Sequence, residues 1–120
     1  MPIQIRRIYE EPKPTDGYRV LIDRLWPRGM TKEAAHIDRW AKAVSPSNEL
    51  RKWYCHDRSK HDEFRRQYLL ELDENQGAID ALLQDWKESR KKTLTLLTST
   101  KEVDLSHTGV LAHVLAQQWQ

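Results

Sequence analysis

Two short apolar runs, Tyr18-Arg19-Val20-Leu21-Ile22 and Thr93-Leu94-Thr95-Leu96-Leu97-Thr98, stand far apart in the chain, and much of what separates them is written at helical spacing. Neither run is long enough for an independent helix, and the second is rich in β-branched residues, so both read as buried strands. Strands separated by helices re-enter a sheet through crossovers and lie parallel. That requirement sets the class. It is α/β, a small, mostly parallel sheet of about three or four strands flanked by about five helices.

Shorter signals place the other elements. Ile3, Ile5 and Ile8, with Gln4 and Arg6 between the first two, mark a strand with one buried face. Pro12, Pro14, Asp16 and Gly17 interrupt the pattern, and the short connection to the second strand suits either an antiparallel hairpin or an irregular crossover. Thr31 is a helix cap, and Ile37, Trp40, Ala41 and Val44 follow at i, i+3, i+4, i+7, which predicts a first helix ending near Val44. Ser45-Pro46-Ser47 restarts a short helix carrying Leu50, Trp53 and Tyr54. Ser59 and Asp62 have the spacing of a capping box and open a longer helix that buries Phe64, Tyr68 and Leu72. Beyond Gly77, Ile79, Leu82, Leu83 and Trp86 form another helical face. Ser106 caps a last helix, ending near Trp119, whose packing face is Leu111, Val114, Leu115 and Gln118.

At 120 residues the chain has the size of one domain, 1–120, and five tryptophans and four tyrosines supply bulk for a core although 32% of the residues are charged. Twenty basic and eighteen acidic residues are interspersed, leaving a formal charge of +2, so no general polyanion-binding surface follows. The single cysteine, Cys55, makes no internal disulfide, which removes the main argument for a secreted protein. The first residues lack the apolar run of a signal peptide, and nothing approaches the ~20 apolar residues of a membrane span. A cytoplasmic protein without membrane contact is expected, its oligomeric state left open.

In open α/β sheets, ligands bind where the carboxyl ends of strands meet loops and helix amino termini. Asp23, Arg24, Trp26 and Arg28 follow the second strand; Ser99, Thr100 and Lys101 follow the third, with Ser106 and His107 at the start of the last helix. If those strands are close parallel neighbours, the two clusters converge. Arginines, a lysine, a histidine, hydroxyls and free helix N–H groups then suit an oxyanion such as phosphate, with Trp26 as an aromatic wall. The competing reading pairs Asp23 with Arg24 or Arg28 and buries Trp26 in the core. His107 sits where the helix dipole lowers its affinity for a proton, so a neutral imidazole is available as a base or donor. The alternative is that it caps its helix or bonds a carbonyl. His113 lies round the helix and is expected in solvent.

Other patterns point away from named chemistries. Cys55 lacks the phosphate loop and following arginine of a cysteine phosphatase, and is expected to be a bystander. Cys55, His56, Asp57 and His61 have neither paired cysteines nor i, i+4 histidines, so no metal is expected. Four scattered glycines give no nucleotide fingerprint, and no cofactor is implied. Arginines recur beside aromatics at Arg51, Trp53 and Tyr54 and at Phe64, Arg65, Arg66 and Tyr68. These are packing aromatics with solvated neighbours, or else Arg51, Arg65 or Tyr68 completes the pocket.

The segment Asp16-Gly17-Tyr18-Arg19-Val20-Leu21-Ile22-Asp23-Arg24-Leu25-Trp26-Pro27-Arg28-Gly29, with residues 47–53 and 63–72, closely resembles the YeaO-like family of small bacterial proteins, domain of unknown function 488. The resemblance covers nearly the whole chain. In the last third it implies a strand, then a lysine, then a histidine opening a helix, places that Lys101 and His107 hold. Thr98, Ser106 and Thr108 depart from the family's usual tyrosine, asparagine and alanine, and Cys55 matches no family feature. The resemblance implies no activity.

Three functions are compatible with these residues. The first is a pocket for a small anionic ligand, phosphate-bearing or nucleotide-like, with Arg24, Arg28 and Lys101 as charge partners and His107 as acid or base; an enzyme of this kind would be a hydrolase or transferase. The second is a nucleic-acid or protein binding module on residues 51–66, its positive face diluted by Glu49, Asp57, Asp62 and Glu63, which makes nucleic acid the weaker partner. The third is a structural or regulatory subunit whose donors are satisfied internally.

Overall fold

The late apolar run lies inside the sheet. The computed structural model describes residues 2–55, 57–101, 103 and 106–119. In chain order its elements are β1 (Ile3–Arg7), β2 (Tyr18–Leu21), α1 (Lys32–Ala35), β3 (Arg39–Trp40), α2 (Asn48–Tyr54), α3 (His61–Glu74), α4 (Gln76–Ser89), β4 (Leu94–Thr98) and α5 (Thr108–Gln118). The four strands form one sheet in the order β1-β4-β2-β3, and every pairing is parallel. The fold is α/β. β1 therefore pairs with β4 and not with β2, so the first connection is a crossover and not a hairpin.

All five residues of β4 are buried, as a strand with neighbours on both sides and helices over its faces must be. Alternation along the strands sends side chains to two cores. Val20, Ile22, Leu94 and Leu96 pack against buried residues of α2, α3, α4 and α5. Leu21 and Leu97 point the other way, to Ile8, Ala35 and the half-buried Trp26, Met30, Ile37 and Trp40. Each such leucine contributes about 1.5–3 kcal/mol by leaving water.

The long first helix is a correction. Thr31 does cap it, accepting from the Ala34 N–H at 3.1 Å, but α1 is one turn and stops at His36, whose φ is 49°. Residues past it run extended and dock on the free edge of β2: the Asp38 N–H donates to the Arg19 carbonyl at 2.7 Å and the Ala41 N–H to the Leu21 carbonyl at 2.9 Å. An open edge offers backbone partners that a short solvated helix does not, and tertiary pairing overrides the helical spacing of Ile37, Trp40, Ala41 and Val44.

Capping differs in two further places. Asp57, not Ser59, caps the turn before α3, accepting from the Ser59 N–H at 3.0 Å and its hydroxyl at 2.7 Å. Asp62 merely lies in the acidic first turn of α3. His107 holds the cap position of α5, although Ser106 still serves it, its Oγ accepting from the Thr108 N–H at 3.2 Å. The expected buried faces are otherwise present on α3, α4 and α5, except that Gln118 is exposed and hydrogen-bonds Gln76.

Candidate functional site

Pairing β2 with β4 in register Leu21 to Leu97 brings the two strand ends together one residue beyond the sheet. Asp23 joins them. Its Oδ1 accepts from the Thr98 hydroxyl at 2.8 Å, and its Oδ2 accepts from the Ser99 N–H at 2.7 Å and the Ser99 hydroxyl at 2.9 Å. From the start of α5, His107 Nε2 reaches the Ile22 carbonyl at 2.8 Å and Asp23 Oδ1 at 3.4 Å. Both neighbours are acceptors, so Nε2 carries a proton and donates. The Trp40 indole N–H donates to the Asp23 carbonyl at 2.7 Å.

Over this floor opens a pocket of about 500 Å³, within the usual range for small-ligand sites. One bank is the loop after β2, with Leu25, Trp26, Pro27 and Arg28, together with Tyr9. The Tyr9 hydroxyl donates to the Arg28 carbonyl at 2.9 Å. Because β4 lies between β1 and β2, this bond carries the loop across the end of β4. The other bank is Ser45 and Pro46 ahead of α2, Arg51 and Tyr54 on α2, and Phe64 on α3. The Tyr54 and Phe64 rings stack with centroids 4.0 Å apart. Burial raises the Tyr54 phenol pKa, opposed by Arg58 and assisted by Asp57, so it stays neutral.

Arg24 ties the banks, donating from Nε to the Pro46 carbonyl at 3.2 Å and from Nη2 to the Ser45 carbonyl at 3.3 Å. Arg7, ending β1, grips the Thr100 and Ser99 carbonyls at 3.0 and 3.1 Å and so fixes the loop after β4. Among the described residues the pocket lining carries three arginines, Arg24, Arg28 and Arg51, and one carboxylate, Asp23. That carboxylate already accepts three hydrogen bonds, which spreads its charge and lessens its repulsion of an anion.

Of the residues expected at a site, the pocket gathers Asp23, Arg24, Trp26, Arg28, Arg51, Ser99 and His107. Asp23 takes Thr98 and Ser99 as partners in place of Arg24 or Arg28. Trp26 is both wall and packing: it is half-buried, edge-on to Trp40 at 5.3 Å, and its indole N–H donates to the Met30 carbonyl at 2.6 Å. Lys101 is exposed and Arg65 half-buried, and neither borders the pocket. Tyr68 does not lean over the strand ends. It is fully buried, its hydroxyl donates to the Val44 carbonyl at 2.5 Å, and its ring lies edge-on to His107 at 6.0 Å. Burial, with the Glu71 and Asp23 charges adding to it, holds its pKa well above that of an ordinary tyrosine.

Sequence reading misses Tyr9, Ser45 and Pro46, places Phe64 only in a packing role, and offers Tyr54 for packing or for a binding module on residues 51–66 but not for this pocket. Tyr9 becomes a candidate once β1 is paired parallel to β4, because it then lies at the same carboxyl edge. Elsewhere on residues 51–66, Tyr54 is buried, Glu63 holds Arg66, and Lys60 Nζ covers the Trp53 ring at 5.1 Å. Cys55 is exposed and its thiol donates to the Lys52 carbonyl at 2.9 Å. His56, beside it, lies outside the described residues. Among the described residues no three His, Cys, Asp or Glu side chains form a metal-binding group, and no helix is long and apolar enough to cross a membrane. His113 is exposed on α5.

Comparison with known proteins gives one family. The model described as the inactive DUF488-N3 subclade matches residues 2–120. An uncharacterised protein of Mycobacterium tuberculosis strain H37Rv is 40% identical over 113 residues, covering 94% of this chain and 92% of its own. The uncharacterised protein YeaO of Escherichia coli K12 is 41% identical over 112 residues, covering 93% of this chain and 95% of its own. No solved structure matches the chain.

Proposed function

From the premise that the chain belongs to the YeaO-like DUF488 family, we propose that it binds a small phosphate-bearing anion at the carboxyl ends of β2 and β4 and does not turn it over. The observation that carries this is the imbalance of the pocket lining, where among the described residues three arginines accompany one carboxylate whose oxygens are already occupied. Guanidinium groups recognise phosphate and carboxylate oxygens by paired N–H donors.

Binding without turnover has two supports. The matching subclade is described as inactive. His107 Nε2, the nitrogen that reaches the floor, is committed to the Ile22 carbonyl, which gives this nitrogen a structural task at the end of β2. His107 then acts by holding the end of β2 against the start of α5.

Isothermal titration with inorganic phosphate and a panel of sugar phosphates and nucleotides tests the reading. Saturable one-to-one binding is expected, weakened about tenfold or more in Arg51→Ala, the cost of a lost charged hydrogen bond, and by a smaller factor in Arg28→Ala, whose exposed charge acts through a screened field. No heat from any anion, or affinities unchanged in both variants, would sink it. Phosphorus NMR of the mixtures should show the ligand unaltered after prolonged incubation; a new phosphorus species would overturn the non-catalytic part.

A further inference from the structure

We propose that the occupant of this pocket is a mononucleotide, a single phosphate joined to one flat heteroaromatic ring; the inference rests on the anion-binding reading above and extends it. The arginines account for one half of a ligand. The other half follows from what stands beside them.

Among the described residues few large apolar side chains remain in water, and two of them, Tyr9 at 43% and Leu25 at 64% exposure, border this pocket on the bank that carries Arg28. Exposed apolar surface collected at a cavity mouth marks a surface that a ligand covers. A free phosphate would leave it bare.

The rings on this bank are held, which favours a flat partner over a flexible one. Tyr9 is pinned by its hydroxyl to the Arg28 carbonyl at 2.9 Å, with the Arg7 guanidinium 5.2 Å from its ring centre. Trp26 is pinned by its indole N–H to Met30 and by its edge contact with Trp40. A fixed ring loses little freedom when another ring lies against it, and bases stack on such side chains without needing a particular sequence of hydrogen bonds. The cavity volume of about 500 Å³ accommodates one nucleotide.

The opposite bank sets the direction. Its stacked Tyr54 and Phe64 rings are almost wholly buried, so they offer edges and no free face for stacking. Arg51, Ser45 and the hydroxyl floor are polar. The phosphate therefore lies toward α2 and the floor, and the ring toward the Tyr9 and Leu25 mouth.

The test compares AMP, GMP, CMP and UMP with inorganic phosphate, ribose 5-phosphate and adenosine by isothermal titration on the full chain. At least one nucleotide should bind about tenfold or more tighter than phosphate and ribose 5-phosphate, the gain expected of one stacked base. Leu25→Ser, a change at an exposed position, should weaken that nucleotide several-fold and by clearly more than it weakens inorganic phosphate. If phosphate and ribose 5-phosphate match every nucleotide, the ring inference is overturned while anion binding stands. Binding of a 5′-phosphorylated oligonucleotide without binding of any mononucleotide also overturns it. Silence from every anion overturns both readings together.

Discussion

Ser99 donates twice to one oxygen of Asp23, from its backbone N–H at 2.7 Å and its hydroxyl at 2.9 Å, and so fastens the carboxyl ends of β4 and β2 to each other. An amide at position 23 keeps the shape but turns one acceptor into a donor facing donors. Asp23→Asn should therefore lower stability by about 1–3 kcal/mol, the cost of buried polar groups left unpaired. Urea unfolding reads this as a shifted midpoint at unchanged slope. A midpoint equal to that of the wild type would show that the fastening contributes nothing.

Gly17 sits at φ 67° with its backbone against Thr93, and a Cβ there would overlap the Thr93 carbonyl. That same carbonyl accepts from the Tyr18 N–H at 2.8 Å, starting the pairing of β2 with β4. Gly17→Ala meets both a left-handed backbone and a steric overlap, so a loss of at least about 2 kcal/mol is expected. A thermal melt within a degree or two of the wild type would contradict it.

Acid should unfold the protein partly through Asp16, which is buried between Arg6 and Arg19. Burial raises its pKa, but the Lys13 N–H, the Arg19 hydrogen bond and the charges of Arg6 and Arg19 together outweigh burial and leave it below the ordinary value of 3.8. A folded-state pKa below the unfolded one adds stability that is fully present above pH 3.8 and is lost as pH falls through the lowered value. Asp16→Asn should flatten the acid side of the stability profile, measured by urea unfolding between about pH 6 and pH 2. At neutral pH it should cost about 3 kcal/mol, because Arg19 is left buried without its partner. An unchanged acid limb would assign the acid lability to other carboxylates.

How much of this molecule is legible in its sequence depends on how far each signal reaches. The parallel placement of β2 beside β4 is readable because both runs are apolar, short and separated by helices, and it carries Asp23, Arg24, Ser99 and His107 to one end of the sheet. β3 is not readable. Two residues, Arg39 and Trp40, give no period of their own, and their neighbours satisfy a helical spacing that only the open edge of β2 overrules. The strand order hides Tyr9, since nothing in the first nine residues says that β1 will pair with β4. Tyr68 shows the converse failure: its stripe on α3 is plain, yet the spacing cannot say that its hydroxyl ends on the Val44 carbonyl instead of in the pocket.

Arg24 and Arg28 should separate structure from binding. Arg24 donates to the Ser45 and Pro46 carbonyls and so joins the two banks of the pocket, whereas the Arg28 side chain is exposed and its backbone carbonyl alone is used by Tyr9. Arg24→Ala removes donors from buried carbonyls and should cost about 1–2 kcal/mol of stability as well as affinity for phosphate. Arg28→Ala leaves the Tyr9 bond in place, because that bond uses the main chain, and should change stability by no more than about 0.5 kcal/mol. Its loss should appear only in anion titrations and in their salt dependence, since an exposed cation acts through a screened field. Paired unfolding and titration curves decide the matter: equal stability losses in the two variants would mean that Arg24 is no strut, and phosphate affinity intact in Arg28→Ala would mean that the mouth of the pocket does not recognise charge.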